Sequence, residues 1–232
     1  MFLATINEQL LTECVARVDA IEKQHGWSVT GISGTVLSMA YKREIEIVFD
    51  ITAFQEHQPN TTIDLWYIAV DREENPRPKT TENEFFLQII RDYARALPHN
   101  RTEVSHLLNS VQVAWDKASF VSSQIERLNA TFPTTVLRTS DSSIAITTSL
   151  LLVPLESRVE VKLELHSQTS GDGLDMALKP EAKVMYGEHF NVPKVADFLA
   201  TRIGKAVGAG EEQWSDVMVE LHGRLTARGR KG

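Results

Sequence analysis

Thiols are almost absent from this chain: Cys14 stands alone, which excludes an internal disulfide and any metal cluster built on cysteine. No apolar run approaches the roughly 20 residues that a membrane-crossing helix needs. The first residues, Met1 to Leu11, carry Glu8 and no basic flank, unlike a secretory leader. An intracellular chain is therefore expected, and the Asn-x-Thr triplets at Asn60, Asn100 and Asn129 are not read as glycan acceptors. Gly-x-Ser-x-Gly, P-loop and dinucleotide fingerprints are all missing. The seven histidines include no pair at helical ligand spacing, and His99 and His106 lack a nearby carboxylate partner. Gly171-Asp172-Gly173 with Asp175 lacks the ligand series and closing glutamate of a calcium loop, so it reads as a hairpin. Ser142, Ser143, Thr147 and Thr148 suit an exposed sheet face better than a nucleophile. No catalytic, cofactor-binding or metal-binding residue is assigned. Excess positive charge is missing too: the formal net charge is −7, which argues against nucleic acid as a partner.

What is present is pattern. With 232 residues, 42% of them hydrophobic, the chain is long enough to bury roughly 70% of its unfolded surface. Leu3, Ile6, Leu10, Cys14, Val18 and Ile21 form a helical stripe close to a heptad, ended by Gly26. The stripe suits either the end of a coiled coil or an amphipathic helix packed on its own domain. From Trp27 the period changes to two. Strands are expected over Trp27–Ile32, Thr35–Tyr41, Ile45–Phe49 and Ile63–Val70, with turns at Ser33-Gly34 and Lys42-Arg43. Pro76 and Pro78 mark a loop from Asp71 to Lys79. Thr81 and Glu84 offer a capping box for a helix through Leu97. Asn100 is the expected cap of a long helix reaching Leu128, with Val104, Leu107, Leu108, Val111, Trp115, Ala118, Ser122, Ile125 and Leu128 on one side.

The second half repeats that order. Thr134–Thr139 and Ile144–Leu152 are expected strands, and Val159, Val161, Leu163 and Leu165 alternate with charged residues. A polar loop from Ser167 to Asp175 and a short strand over Ala182–Tyr186 follow. Asn191 caps a helix with Val195, Phe198, Leu199 and Ile203; Gly208 to Gly210 breaks it, and Trp214, Val217, Met218, Leu221 and Leu225 mark a last helix. The layout is α+β: a helix, then twice a four-stranded antiparallel meander packed on helices. Domain boundaries are expected at 1–25 (helix), 26–130 and 131–232.

A meander covered on one face keeps two edge strands whose backbone groups can accept an added strand. With no reactive centre found, protein binding is the expected function. The candidate contact residues are Val29 and Ile32 on the first-half edge strand, and Met185 and Tyr186 on the last strand of the second half. The basic end, Arg224, Arg228, Arg230 and Lys231, reads as a solvated helix terminus rather than a nucleic-acid patch.

Gly26-Trp27-Ser28-Val29, Met39 to Ile45, Glu84 to Gln88, Ala114-Trp115-Asp116, Tyr186-Gly187-Glu188 and Ala227-Arg228-Gly229 resemble the C-terminal region of the fungal outer-kinetochore scaffold, of the Knl family (Blinkin in vertebrates). The resemblance implies tandem RWD domains preceded by the end of a coiled coil, in a C-terminal piece of a longer scaffold. It further implies a non-enzymatic role in the KMN network: anchoring on the MIND complex, through a sheet edge or an inter-domain groove, at the kinetochore in the nucleus. A Zwint-like coiled-coil partner would engage the region upstream of and including Leu3 to Ile21. The Tyr-Pro-x-x-x-Pro turn of ordinary RWD domains is missing from both halves; Pro59 and Pro154 are isolated. RWD domains share a fold with ubiquitin-conjugating enzymes, so a non-catalytic adaptor in a ubiquitin or other signalling pathway is the alternative. His57-Gln58-Pro59-Asn60 resembles that family's His-Pro-Asn motif, but Gln58 interrupts it and no cysteine follows.

Overall fold

A computed structural model of the chain describes residues 22, 24–52, 63–97, 103–170, 173–208 and 212–228. Two four-stranded antiparallel meanders are present, each in sequential strand order. The first comprises β1 (Trp27–Ser33), β2 (Val36–Tyr41), β3 (Ile45–Asp50) and β4 (Asp64–Tyr67). Helices α1 (Thr81–Ala96) and α2 (Val104–Thr131) follow. The second sheet comprises β5 (Thr134–Arg138), β6 (Ser143–Leu152), β7 (Ser157–Ser170) and β8 (Gly173–Tyr186), followed by α3 (Val192–Ile203) and α4 (Trp214–Arg228). The expected α+β architecture of paired four-stranded meanders with helices is the one observed.

By packing, the chain divides into one unit of Met1–Lys79 with Leu97–Val104 and another of Thr80–Ala96 with Ser105–Gly232. The boundaries expected from the sequence follow element order instead, and count α1 and α2 with the first module.

In the first unit the strand pattern is set by β3, where Ile45, Ile47 and Phe49 are fully buried between half-buried neighbours. Most of the expected N-terminal helix, Leu3 to Ile21 included, lies outside the described residues. Its end is described: the amide of Gly26 donates to the Glu22 carbonyl at 2.7 Å, with φ +73° at Gly26. A Cβ there would lie 3.0 Å from the Tyr41 ring, so glycine serves both the left-handed turn and the close approach. The Trp27 and Tyr41 rings lie 5.0 Å apart. The β2–β3 turn holds Lys42 and Arg43 at φ 51° and 53°, a strained conformation for side-chain-bearing residues. Arg72 offsets that strain by donating from its guanidinium to both turn carbonyls, Nε reaching Arg43 O at 2.8 Å. The expected fourth strand, Ile63–Val70, is shorter than foreseen: β4 ends at Tyr67, and Ala69–Asp71 turn into a 3-10 helix.

In the second unit, Thr80 rather than Thr81 starts α1: its Oγ1 accepts from the Asn83 amide at 3.4 Å and its carbonyl from the Glu84 amide at 3.0 Å. Asn100, the expected cap of α2, lies outside the described residues, and the described helix begins at Val104. The face buried on α2 runs Leu107, Val111, Ala114, Trp115, Ala118, Val121, Gln124, Ile125 and Leu128. Gln124 was not among the expected face residues. Its amide donates to Gln213 Oε1 at 2.6 Å and its Oε1 accepts from the Trp214 amide at 2.9 Å, so this buried side chain caps α4.

The largest correction concerns β7 and β8. The polar loop expected at Ser167–Asp175 and the short strand at Ala182–Tyr186 are parts of one hairpin with two 14-residue strands. Polar residues there alternate with buried Leu174, Met176 and Leu178, so they occupy the other face of a strand. Lys117 on α2 holds the hairpin's far end, donating to the Leu174 carbonyl at 3.0 Å. Asn191 caps α3 as expected, accepting from the Lys194 amide at 3.1 Å. That helix stops at Ile203, before Gly204 at φ +90°, ahead of the expected break at Gly208.

Candidate functional site

The first sheet's apolar face can be followed strand by strand through its register. Ile45 lies opposite Tyr41, and Tyr41 opposite Trp27; Ile47 leads to Met39 and Val29; Phe49 leads to Leu37 and Ile32. A bulge between Val29 and Gly31 adds Thr30 to β1. The extra residue keeps Ile32 on the side of Val29, because an unbroken period of two would turn it to the opposite face. The three rows differ in cover. The first is buried as far as Trp27, whereas the second opens to 53% exposure at Val29 and the third to 71% at Ile32.

The backbone of β1 is open at the same place. Lys42 donates to the Gly26 carbonyl at 2.7 Å, and the Thr35 carbonyl accepts from Ile51 at 2.9 Å. These two bonds set which residues face β2, and they leave the N–H and C=O of Val29 and Ile32 directed away from it. Among the described residues no strand pairs with β1 on that outer side.

On the other face of this sheet the side chains of β1 are small, and further in the rows carry the acids Glu46 and Asp64 beside the apolar Val48 and Trp66. Ser28, Ala40, Glu46 and Trp66 form one row, and Gly31, Ser38, Val48 and Asp64 another. Glu46 reaches across β2 to accept a hydrogen bond from the Thr30 hydroxyl. Asp50 accepts from the amide and hydroxyl of Thr52, which holds its carboxyl below the usual carboxylate range.

The β8 margin is closed over part of its length. Leu178 donates to Lys205 O at 2.7 Å, Val207 donates to Met176 O at 2.9 Å, and Ala177 bridges Ala206. Pro180 occupies the next outward-facing backbone position and has no N–H to offer. Beyond it, a bulge opposite Arg158 and Val159 makes Met185 the unpaired extra residue and sets Tyr186 across from Arg158. Met185 is 43% and Tyr186 51% exposed. The adjoining outer face carries ion pairs: Arg158–Glu160 at 2.7 Å, Lys162–Glu164 at 3.1 Å and Lys179–Glu181 at 2.8 Å. The Lys179 hydrogen bond draws the Glu181 carboxyl down, and the same contact raises the Lys179 ammonium.

Gly187 locks the end of this strand. A Cβ there would meet Ser157 Oγ at 2.2 Å, at φ +92°. The buried Ser157 hydroxyl donates to Leu155 O at 2.7 Å and accepts from the Glu188 amide at 2.8 Å. Tyr186 is therefore presented from a rigid strand end. Sequence reasoning missed the Lys205–Val207 cover and both bulges, since nothing in the local pattern of either partner announces the pairing.

Other chemistry is sparse. At the basic end, Arg224 bonds Glu220 at 2.6 Å and stacks 4.7 Å above Phe198, while Arg202 pairs with Glu212 and, at 2.9 Å, with Glu220. Arg202, Arg224 and Phe198 line an open cavity of about 400 Å³ with Lys194, Asp197 and Thr201, and both arginines are paired with acids. Arg230 and Lys231 lie outside the described residues, as do Cys14 and His57 to Asn60. Among the described residues no three His, Cys, Asp or Glu side chains are grouped to hold a metal ion. No described helix is long and apolar enough to cross a membrane.

A family model described as the Knl1 RWD C-terminal domain matches residues 5–122, just over half of the 232 residues. No curated protein matches the chain.

Proposed function

Because the chain belongs to the Knl1 RWD C-terminal domain family, a family of non-catalytic kinetochore protein-interaction modules, we propose that it anchors an outer-kinetochore scaffold on the MIND complex. In this reading residues 26–130 and 131–232 are the two RWD modules, behind a helix over 1–25 that ends a coiled coil. A MIND segment adds itself as a strand to a free sheet margin, with backbone pairing for affinity and apolar pockets for register. Val29 and Ile32 are its contacts on β1; Met185 and Tyr186 are a second contact region on β8. A Zwint-like partner engages the helix from Leu3 to Ile21 together with the region upstream. The work is done at the kinetochore in the nucleus, a reading that the family match supports, and contributes to chromosome segregation and microtubule attachment.

The observation that carries this reading is the β1 margin. Two large apolar side chains stand more than half exposed beside backbone groups that face away from the sheet. The test is crosslinking of this chain to reconstituted MIND complex with residue-level mapping, paired with capture by Ile32→Glu and Tyr186→Glu variants. Crosslinks at β1 and capture lost with Ile32→Glu are expected. Capture unchanged by both substitutions removes these margins from the interface.

A further inference from the structure

A strand laid along β1 would alternate its side chains between two unlike environments. On one side it would meet Val29 and Ile32, with Met39 and Leu37 next along the same rows. On the other it would pass Ser28, Thr30, Gly31 and Ser33, none of which fills much space. The Glu46 carboxylate is brought forward to this side by its bond with the Thr30 hydroxyl. Ala40 and Ser38, the small residues of β2 on that face, leave the path across it open. Asp50 and Asp64 share the face, and no lysine or arginine stands on it in any of the four strands.

From this juxtaposition, and resting on the reading of β1 as a docking margin, we propose that the occupant of β1 is an extended segment alternating apolar with basic residues. Its β-branched or aromatic side chains cover Val29 and Ile32. Its lysines or arginines lie over the serine–glycine track, long enough to reach the Glu46 carboxylate from one strand further out. An acidic segment of the same apolar spacing is rejected by like charge. The β8 margin lacks this selectivity, because its outer face pairs its own charges, Lys179 with Glu181 among them.

The probes are three short labelled peptides that alternate valine with lysine, with glutamate or with serine, titrated onto the full chain by fluorescence anisotropy. The valine–lysine peptide is expected to bind about tenfold tighter than the valine–glutamate one. Glu46→Lys inverts the order, and Glu46→Gln, which keeps an acceptor for Thr30, brings the three peptides together. Amide hydrogen exchange with the valine–lysine peptide bound slows at Val29 and Ile32. Equal binding of lysine and glutamate peptides, a preference that survives Glu46→Lys, or protection elsewhere overturns the proposal. Capture of MIND by the Ile32→Glu chain separates the two ideas. If capture is lost while the peptides show no charge preference, the margin stands and the basic occupant falls; if capture persists, docking at this margin falls with it.

Discussion

The β1 margin of the first sheet and the β8 margin of the second are both the outermost strands of four-stranded meanders, yet among the described residues β8 is closed over part of its length and β1 has no strand on its outer side. Along β8 a three-residue stretch after α3 takes up the outward backbone groups at Met176 and Leu178, and Pro180 removes the next donor. The neighbouring face is covered with ion pairs. These devices also stop a sheet from recruiting unwanted strands. Among the described residues they are missing along β1 around Val29 and Ile32, where the chain exposes apolar side chains and directs N–H and C=O outward. The contrast shows that an edge position in the strand order is not by itself a docking site. What lies beside the edge decides, and in this protein that neighbour comes from far along the chain.

The sharpest way to break the comparison is within one row of the first sheet. Ile47 and Val29 share a face, but Ile47 is fully buried and Val29 half out. Ile47→Ala should cost about 3 kcal/mol in a urea titration, against less than about 0.5 kcal/mol for Val29→Ala. Equal losses would mean that Val29 is covered in solution. Gly187→Ala tests the locked end of β8: the added Cβ meets Ser157 at 2.2 Å in a left-handed conformation. A loss of about 2–3 kcal/mol is expected in the same titration. Val207→Pro removes the donor to Met176 and should cost about 1 kcal/mol. It should also convert β8 into an open margin, visible as concentration-dependent self-association in sedimentation velocity. A variant that stayed monomeric would show that Pro180 and the surface charges suffice to keep the edge closed.

The smallest effect concerns acid. Lys179 holds the Glu181 carboxyl below its ordinary value of 4.5. Its contribution to stability is therefore present above pH 4.5 and is lost as the pH falls through the lower folded value. Glu181→Gln should flatten that limb of the melting-temperature profile at low salt, and added salt should shrink the difference between the two proteins.

Residues that carry the resemblance stated from the sequence turn out to hold the fold. Gly26, Trp27, Tyr41, Lys42 and Arg43 meet at one end of the first sheet, through the ring contact, the Lys42–Gly26 hydrogen bond and the Arg72 clamp. Gly187 and Glu188 close the end of β8 on Ser157. A resemblance carried by such residues speaks for the architecture and leaves the contact residues to be found separately. The candidates Val29, Ile32, Met185 and Tyr186 came from edge-strand pattern. All four are exposed and on outer strands, while the β1 bulge, which puts Ile32 beside Val29, has no local signature. The long β7–β8 hairpin was half visible: Leu174, Met176 and Leu178 alternate, but the intervening polar residues read as loop.

Periodicity and turn chemistry, both local in the chain, were enough to determine two α+β meanders with helices between and after them. Burial enforces a period of two on half-covered strands and one near four on helices, wherever the partner happens to lie. The availability of each margin was decided only in three dimensions. Lys205–Val207 must fold back onto β8, and Glu46 must reach over β2 to Thr30. Such long-range pairings depend on where distant segments come to rest, and leave no local periodic signal in the sequence of either partner.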